Sequence, residues 1–231
     1  MLEIRNLQYT YKGTAVLDSA SLTIEPGEIV ALVAPNGSGK TTFMRTVGNR
    51  IAPSRGVRIA DDIDALTKPQ GYAKAVLYVP DGGKILHDCL TVQEQLAATA
   101  RLWKSRADLD TTICECHLAN MLNKRGNQLS QGMKQQVSLA IACTSGASYI
   151  LFDEPTNGFD QSNARRFWRI IENLAERGCG ILISSHILNE LDEMCDSTCF
   201  LKDGRIIRPH NQGYQGSCSE IYAQLYEGDE P

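Results

Sequence analysis

The sequence predicts an α/β fold organised around a mainly parallel sheet, and three observations lead there. An apolar strand, Glu28-Ile-Val-Ala-Leu-Val33, runs into a glycine-rich loop, Ala34-Pro-Asn-Gly-Ser-Gly-Lys-Thr41, with helical residues after it. From Ser130 onward helix and strand alternate, as parallel strands joined by crossover helices require. Between these halves, the stretch after Val76–Pro80 turns helical and reads as a lobe inserted into the α/β core.

Each element has a local reason. Residues 2–10 and 20–33 hold short apolar or alternating stretches, broken at Glu25-Pro26-Gly27-Glu28 by a turn between strands. A helix from Thr41 to about Asn49 follows the loop, and Pro53-Ser-Arg-Gly56 then turns the chain into a strand at Val57–Ala60. In the helical stretch, Thr91–Lys104 and Asp108–Lys124 read as helices with Thr91 and Asp108 as N-caps. Helices at 132–144, 161–177 and 187–194 alternate with strands at 148–153, 179–184 and 197–201. The tail beyond Pro209 is rich in Gly, Gln and Ser and is expected to close with a short helix, Ser219–Tyr226.

Composition narrows the function. With 231 residues, 42% of them hydrophobic, the chain can bury a substantial core. A net charge of −4 speaks against a broadly basic surface, so no nucleic-acid partner is expected. Met1-Leu-Glu-Ile-Arg-Asn6 carries charge at once and lacks an apolar signal core, and no run approaches the ~20 apolar residues of a spanning helix. The eight cysteines are scattered, which suits reduced thiols in a cytoplasmic protein.

The chemistry is concentrated in the glycine-rich loop. At a helix N-terminus, successive backbone N–H groups of such a turn can point at one anion. Lys40 can reach outer phosphates, and the Thr41 hydroxyl can hold Mg²⁺. Phosphate is therefore the expected ligand. Downstream stand Leu129-Ser-Gln-Gly132 and Tyr149-Ile-Leu-Phe-Asp-Glu-Pro155, the latter a hydrophobic strand ending in two carboxylates.

In that order and spacing, residues 1–208 resemble the nucleotide-binding subunit of an ATP-binding cassette transporter. The resemblance implies a P-loop NTPase core with a mainly parallel sheet, an N-terminal antiparallel β subdomain and an inserted α-helical subdomain at about 84–138, with 209–231 as a C-terminal tail. It implies ATP and Mg²⁺ as cofactors. The nucleotide would be held by Asn36, Gly37, Ser38, Gly39, Lys40, Thr41 and Thr42, with adenine stacked on Tyr11 beside Val16. Tyr9, two residues away, is the alternative stacking ring. Leu129-Ser-Gln-Gly-Met-Lys-Gln-Gln136 resembles the family signature, in which Ser130 and Gly132 bind the γ-phosphate held by an opposite subunit. Asp153 would reach Mg²⁺ through water and Glu154 would polarise the attacking water. Asn157-Gly-Phe-Asp160 matches a loop carrying Asp160 across a dimer interface, and His186 matches the histidine that contacts γ-phosphate.

Two positions depart from the family pattern. Ala34 stands where the loop usually begins with glycine, a change that costs about 1 kcal/mol only if the backbone there is unfavourable for a β-carbon. Asp81, in Tyr78-Val-Pro-Asp81, replaces the usual glutamine; its carboxylate can coordinate Mg²⁺ or, alternatively, cap the turn into Gly82-Gly83. An acidic residue here and Gly-Met-Lys-Gln in the signature resemble the branch of drug, ion and bacteriocin exporters.

Other residues read structurally. Cys114-Glu-Cys116-His117 lacks a second cluster to complete a zinc site. Arg165-Arg166 with Arg169 reads as a solvated helix face, Cys195 and Cys199 as small buried side chains, and Trp103 and Trp168 as packing or partner anchors. The expected protein is an ATPase subunit that dimerises around ATP, as a homodimer, and drives a separate membrane-spanning permease from the inner face of the membrane, for export of a drug, peptide or ion. An importer ATPase and a dimerising switch with little hydrolysis are the alternatives.

Overall fold

The computed structural model describes residues 1–209, 213–214 and 216–227. Strands β1 (Leu2–Tyr11), β2 (Thr14–Ile24), β4 (Arg55–Ala60) and β5 (Ile63–Asp64) form an antiparallel sheet in the order β2-β1-β4-β5. A second sheet holds β3 (Ile29–Val33), β6 (Val76–Val79), β7 (Tyr149–Asp153), β8 (Gly180–Ser184), β9 (Ser197–Lys202) and β10 (Arg205–Ile207), in the order β10-β9-β3-β8-β7-β6. All its pairings are parallel except the β9–β10 hairpin at the edge. The predicted α/β class with a mainly parallel sheet and an N-terminal antiparallel sheet is what the molecule shows.

The central strands are apolar throughout because both faces of the sheet are covered. Ile29, Ala31 and Val33 of β3 join one core with Ile150 and Phe152 of β7 and Ile181 and Ile183 of β8. Val30, Leu32, Leu151 and Leu182, between them in register, point to a second core shared with Leu2, Ile4 and Leu22 of the antiparallel sheet and Phe43 and Met44 of helix α1 (Lys40–Val47). The period of two sorts each strand between two layers.

Between β6 and β7 the elements are helical: α3 (Val92–Trp103), α4 (Leu109–Glu115) and α5 (Gln131–Ser145), with short 3₁₀ turns. Thr91 opens α3 with a capping box, its hydroxyl accepting from the Glu94 amide while the Glu94 carboxylate accepts from the Thr91 amide. Asp108 caps α4 as predicted, but the helix does not reach Lys124. It stops at Glu115 because His117 turns the chain through the left-handed region (φ 54°), burying Leu118 against the core.

The sequence reading also missed α2 (Pro69–Ala75), β5 and β10. Helices α6 (Gln161–Glu176) and α7 (Leu188–Met194) follow β7 and β8. Helix α8 (Cys218–Tyr222) runs into a wider turn at Ala223–Glu227, where the tail helix was expected at Ser219–Tyr226. It packs on the main core through Cys218, Ile221 and Leu225. Residues 210–212, 215 and 228–231 of the tail lie outside the described residues. All eight cysteines are free thiols.

Candidate functional site

The phosphate-loop residues, Asp81, Asp153, Glu154 and His186 follow the carboxyl ends of the adjacent strands β3, β6, β7 and β8, where α/β sheets place their ligands, while Tyr11 and Val16 come from β1 and β2. The loop after β3 leads into α1. Gly37 and Gly39 take left-handed conformations (φ 82° and 104°), and a β-carbon on Gly39 would stand 2.9 Å from Cγ1 of Val16. Val16 therefore packs directly against the loop. Gly39 supplies no side-chain cap to α1, so the helix presents bare N–H groups towards an anion. Asn36 and Gly37 are exposed, while the Ser38 hydroxyl is buried with no hydrogen-bond partner among the described residues, an orphan that a phosphate oxygen would satisfy.

Lys40 is buried, and Nζ donates to the Ala34 carbonyl and, at 3.3 Å, to that of Pro35. Burial pushes its pKa below the ordinary lysine value, and the nearby carboxylates of Glu154 and Asp153 push back. An ammonium whose hydrogen bonds among the described residues go only to its own loop carbonyls can transfer to phosphate oxygens of higher charge. Ala34 is not among the described residues with positive φ, so its methyl imposes no backbone strain. Thr41 is exposed on the first turn of α1 and lines a cleft of about 820 Å³ together with Asp81, Asp153 and Glu154. Thr42 is half-buried, and its carbonyl accepts from the Thr46 hydroxyl at 2.7 Å.

Asp153 ends β7 at 3% exposure, with both carboxylate oxygens engaged. Ser184 at the end of β8 donates to Oδ1 at 2.8 Å, and the Tyr78 phenol donates to Oδ2 at 2.9 Å. Burial, together with the Asp153 charge, raises the Tyr78 pKa and keeps the phenol a donor. Neither Tyr78 nor Ser184 was singled out from sequence. The available signal was an aromatic hydroxyl in an otherwise aliphatic strand and a Ser-Ser pair ending another.

Glu154 takes a left-handed backbone (φ 48°), unusual outside glycine, and the turn is held by its amide donating to the Ser184 carbonyl at 3.1 Å and hydroxyl at 3.0 Å. That turn aims Oε2 at Nδ1 of His186, 2.8 Å away. The His186 side chain is 61% exposed and that of Glu154 17%, so the pair sits where water and a ligand both reach it.

Asp81 opens a 3₁₀ turn after β6, and Oδ1 lies 3.4 Å from Nε2 of Gln135 on α5. The oxygen donors gathered here, the Thr41 hydroxyl and the carboxylates of Asp81, Asp153 and Glu154, are the hard ligands that Mg²⁺ prefers. Among the described residues no cluster of three or more His, Cys, Asp or Glu is placed to hold a metal by itself.

Ser130, Gly132 and Asp160 form a second group. Ser130 caps α5, its exposed hydroxyl accepting from the Met133 amide at 3.4 Å. Asp160 caps α6 through the Asn163 amide at 2.7 Å. The two helix starts abut, since a β-carbon on Gly132 would lie 3.6 Å from the Gly158 carbonyl. Tyr11, at the end of β1, is 57% exposed, with the Lys12 ammonium 5.5 Å from its ring, whereas Tyr9 packs on the core. Of the two rings, Tyr11 is the one free to stack.

A glycine loop feeding a helix, a buried aspartate and a glutamate–histidine pair on a doubly covered parallel sheet define a nucleotide hydrolase of the P-loop class. The family model described as ABC transporter matches residues 17–157, and the chain belongs to that family. It is 31% identical to the ABC transporter ATP-binding protein NatA of Bacillus subtilis (strain 168), over 94% of this chain and 88% of that protein. It is 33% identical to the lipopolysaccharide export system ATP-binding protein LptB of Escherichia coli (strain K12), over 89% and 88%. A solved structure of the ATP-binding subunit of an ABC transporter superposes with a TM-score of 0.89 at 27% identity, covering 97% of this chain and 99% of that one. The protein is the ATP-binding subunit of an ABC transporter, and an ATPase.

Proposed function

We propose that this subunit hydrolyses ATP with Mg²⁺ in a site shared between two copies and uses the cycle to drive a membrane permease in export. The observation that carries the reading is the meeting of Glu154 and His186 beside Asp153 at the ends of β7 and β8, opposite the loop of Lys40. Lys40 would neutralise the outer phosphates, with the loop amides and the Ser38 hydroxyl completing their cradle. Bound Mg²⁺, held by Thr41, by Asp153 through water and by Asp81, would supply further charge neutralisation. Glu154 would accept a hydrogen bond from the attacking water, and His186 would hold that carboxylate while facing the γ-phosphate. Phosphoryl transfer asks mainly for such positioning and charge. Tyr11 and Val16 would flank the base.

The exposed helix starts carrying Ser130, Gly132 and Asp160 are shaped to close the site of a second copy rather than to cover a core. For the permease, the cleft beside Thr41 and Asp81 continues along α3, where Leu102 is 67% exposed and the buried Nε1 of Trp103 has no partner among the described residues. A permease segment seated there would touch the turn of Asp81 and hold the subunit at the inner face of the membrane. No described helix is long and apolar enough to cross a membrane itself. Export is favoured by relatives such as the lipopolysaccharide export protein.

Shared sites are tested by light scattering of Glu154→Gln, which preserves bulk while removing the carboxylate charge. ATP with Mg²⁺ should convert monomer to dimer; a variant that binds ATP yet stays monomeric at saturation contradicts the homodimer.

A further inference from the structure

A groove of about 340 Å³ beside α6 is lined by His117, Ser162, Arg165, Arg166 and Arg169, with no carboxylate among the described residues that line it. From sequence these arginines read as a solvated helix face. The structure adds His117, whose left-handed backbone ends the α4 segment and carries its ring to α6. We propose that this groove is a second anion site, distinct from the nucleotide site, that binds a phosphoryl group. Four observations support it. Arg165 and Arg169, an i, i+4 pair of like charge, have no ion pair or hydrogen bond among the described residues, nor does the His117 ring. Like charges at that spacing destabilise a helix, an effect that an anion between them would reverse. Arg166 is already oriented: it donates to Asn163 Oδ1 at 2.7 Å, and that oxygen also accepts from Gln136 Nε2 of the signature helix at 3.0 Å. Ser162 lies in the first turn of α6 and adds a hydroxyl to the lining.

Each guanidinium is a planar fork that can meet phosphate oxygens in bidentate fashion, and three of them line this one groove. In a chain of net charge −4, such a carboxylate-free concentration of cations is a local departure from the average. The shared chemistry is a phosphomonoester or phosphodiester anion, supplied either by a free phosphate compound or by a lipid headgroup. Through Asn163 and Gln136, occupancy would bear on α5, the helix that begins at Ser130.

The test uses inorganic pyrophosphate as probe on the full chain carrying Lys40→Ala, which disables the phosphate loop. Calorimetry should find one site, weakened tenfold or more when Arg165→Gln and Arg169→Gln are added; both arginines are exposed, and unchanged circular dichroism would confirm that the fold persists. In parallel, sedimentation with phosphatidylglycerol vesicles, against phosphatidylcholine vesicles, distinguishes the sources: arginine-dependent pelleting with the former assigns a lipid headgroup, and its absence alongside pyrophosphate binding assigns a free phosphate. Failure of the Lys40→Ala protein to bind pyrophosphate, or binding indifferent to the two arginines, overturns the site. Neither result bears on ATP hydrolysis, which this experiment does not read.

Discussion

The Tyr78 phenol donates a 2.9 Å hydrogen bond to Oδ2 of Asp153, joining edge strand β6 to the carboxylate that ends β7. With Ser184 on Oδ1, the bond fixes both oxygens of a buried aspartate two residues beyond the register partner of Tyr78, Leu151. Tyr78 also begins the short segment leading to Asp81, so the strand that carries the cleft's mouth is anchored to the core of the site.

Tyr78→Phe should therefore destabilise the protein by about 1–2 kcal/mol, the cost of leaving a buried acceptor short of one donor. Ser184→Ala should cost more, because the same hydroxyl donates to Asp153 and accepts from the Glu154 amide. Urea unfolding of both variants checks the order. A Tyr78→Phe midpoint equal to wild type would remove the bond from the account.

Ala34→Gly tests the departure in the phosphate loop. Ala34 is buried and has no left-handed backbone, so glycine relieves nothing and gains only unfolded-state freedom. The expected outcome is a loss of about 0.5–1 kcal/mol of stability with ATP affinity changed less than about twofold. A marked gain in affinity would show that the methyl hinders the loop after all.

Asp81 faces the cleft of Thr41 and Asp153 while standing 3.4 Å from Gln135. If it serves Mg²⁺, Asp81→Ala should raise the Mg²⁺ needed for half-maximal ATPase rate several-fold and Asp81→Gln should recover part of it. Metal titrations of the three proteins decide the matter: superimposable curves would leave Asp81 as a turn cap held by Gln135.

What was legible in the sequence was whatever is written locally. The loop of Ala34 to Thr41, the caps Thr91 and Asp108, and the buried strands declare themselves through spacing and residue type. Helix α2 did not, since Pro69-Gln-Gly-Tyr-Ala-Lys-Ala75 has one buried side chain, Tyr72, and no apolar stripe. The helix expected to Lys124 was over-extended because residues 116–122 keep an apolar spacing through the reversal at His117. Long-range partners were invisible for a physical reason: Tyr78 meets Asp153 across 75 residues and Ser184 across 31, through strand order alone. The arginine groove needed His117, brought from another element.

The central claim is that Lys40 binds and that Glu154 and His186 turn over, and equilibrium ATP binding set beside phosphate release in three variants tests it most directly. Lys40→Ala should lose most of its ATP affinity, while Glu154→Gln and His186→Ala should bind ATP normally and release phosphate at least about 10²-fold more slowly. Three variants that bind and hydrolyse ATP as the wild type does would contradict the account.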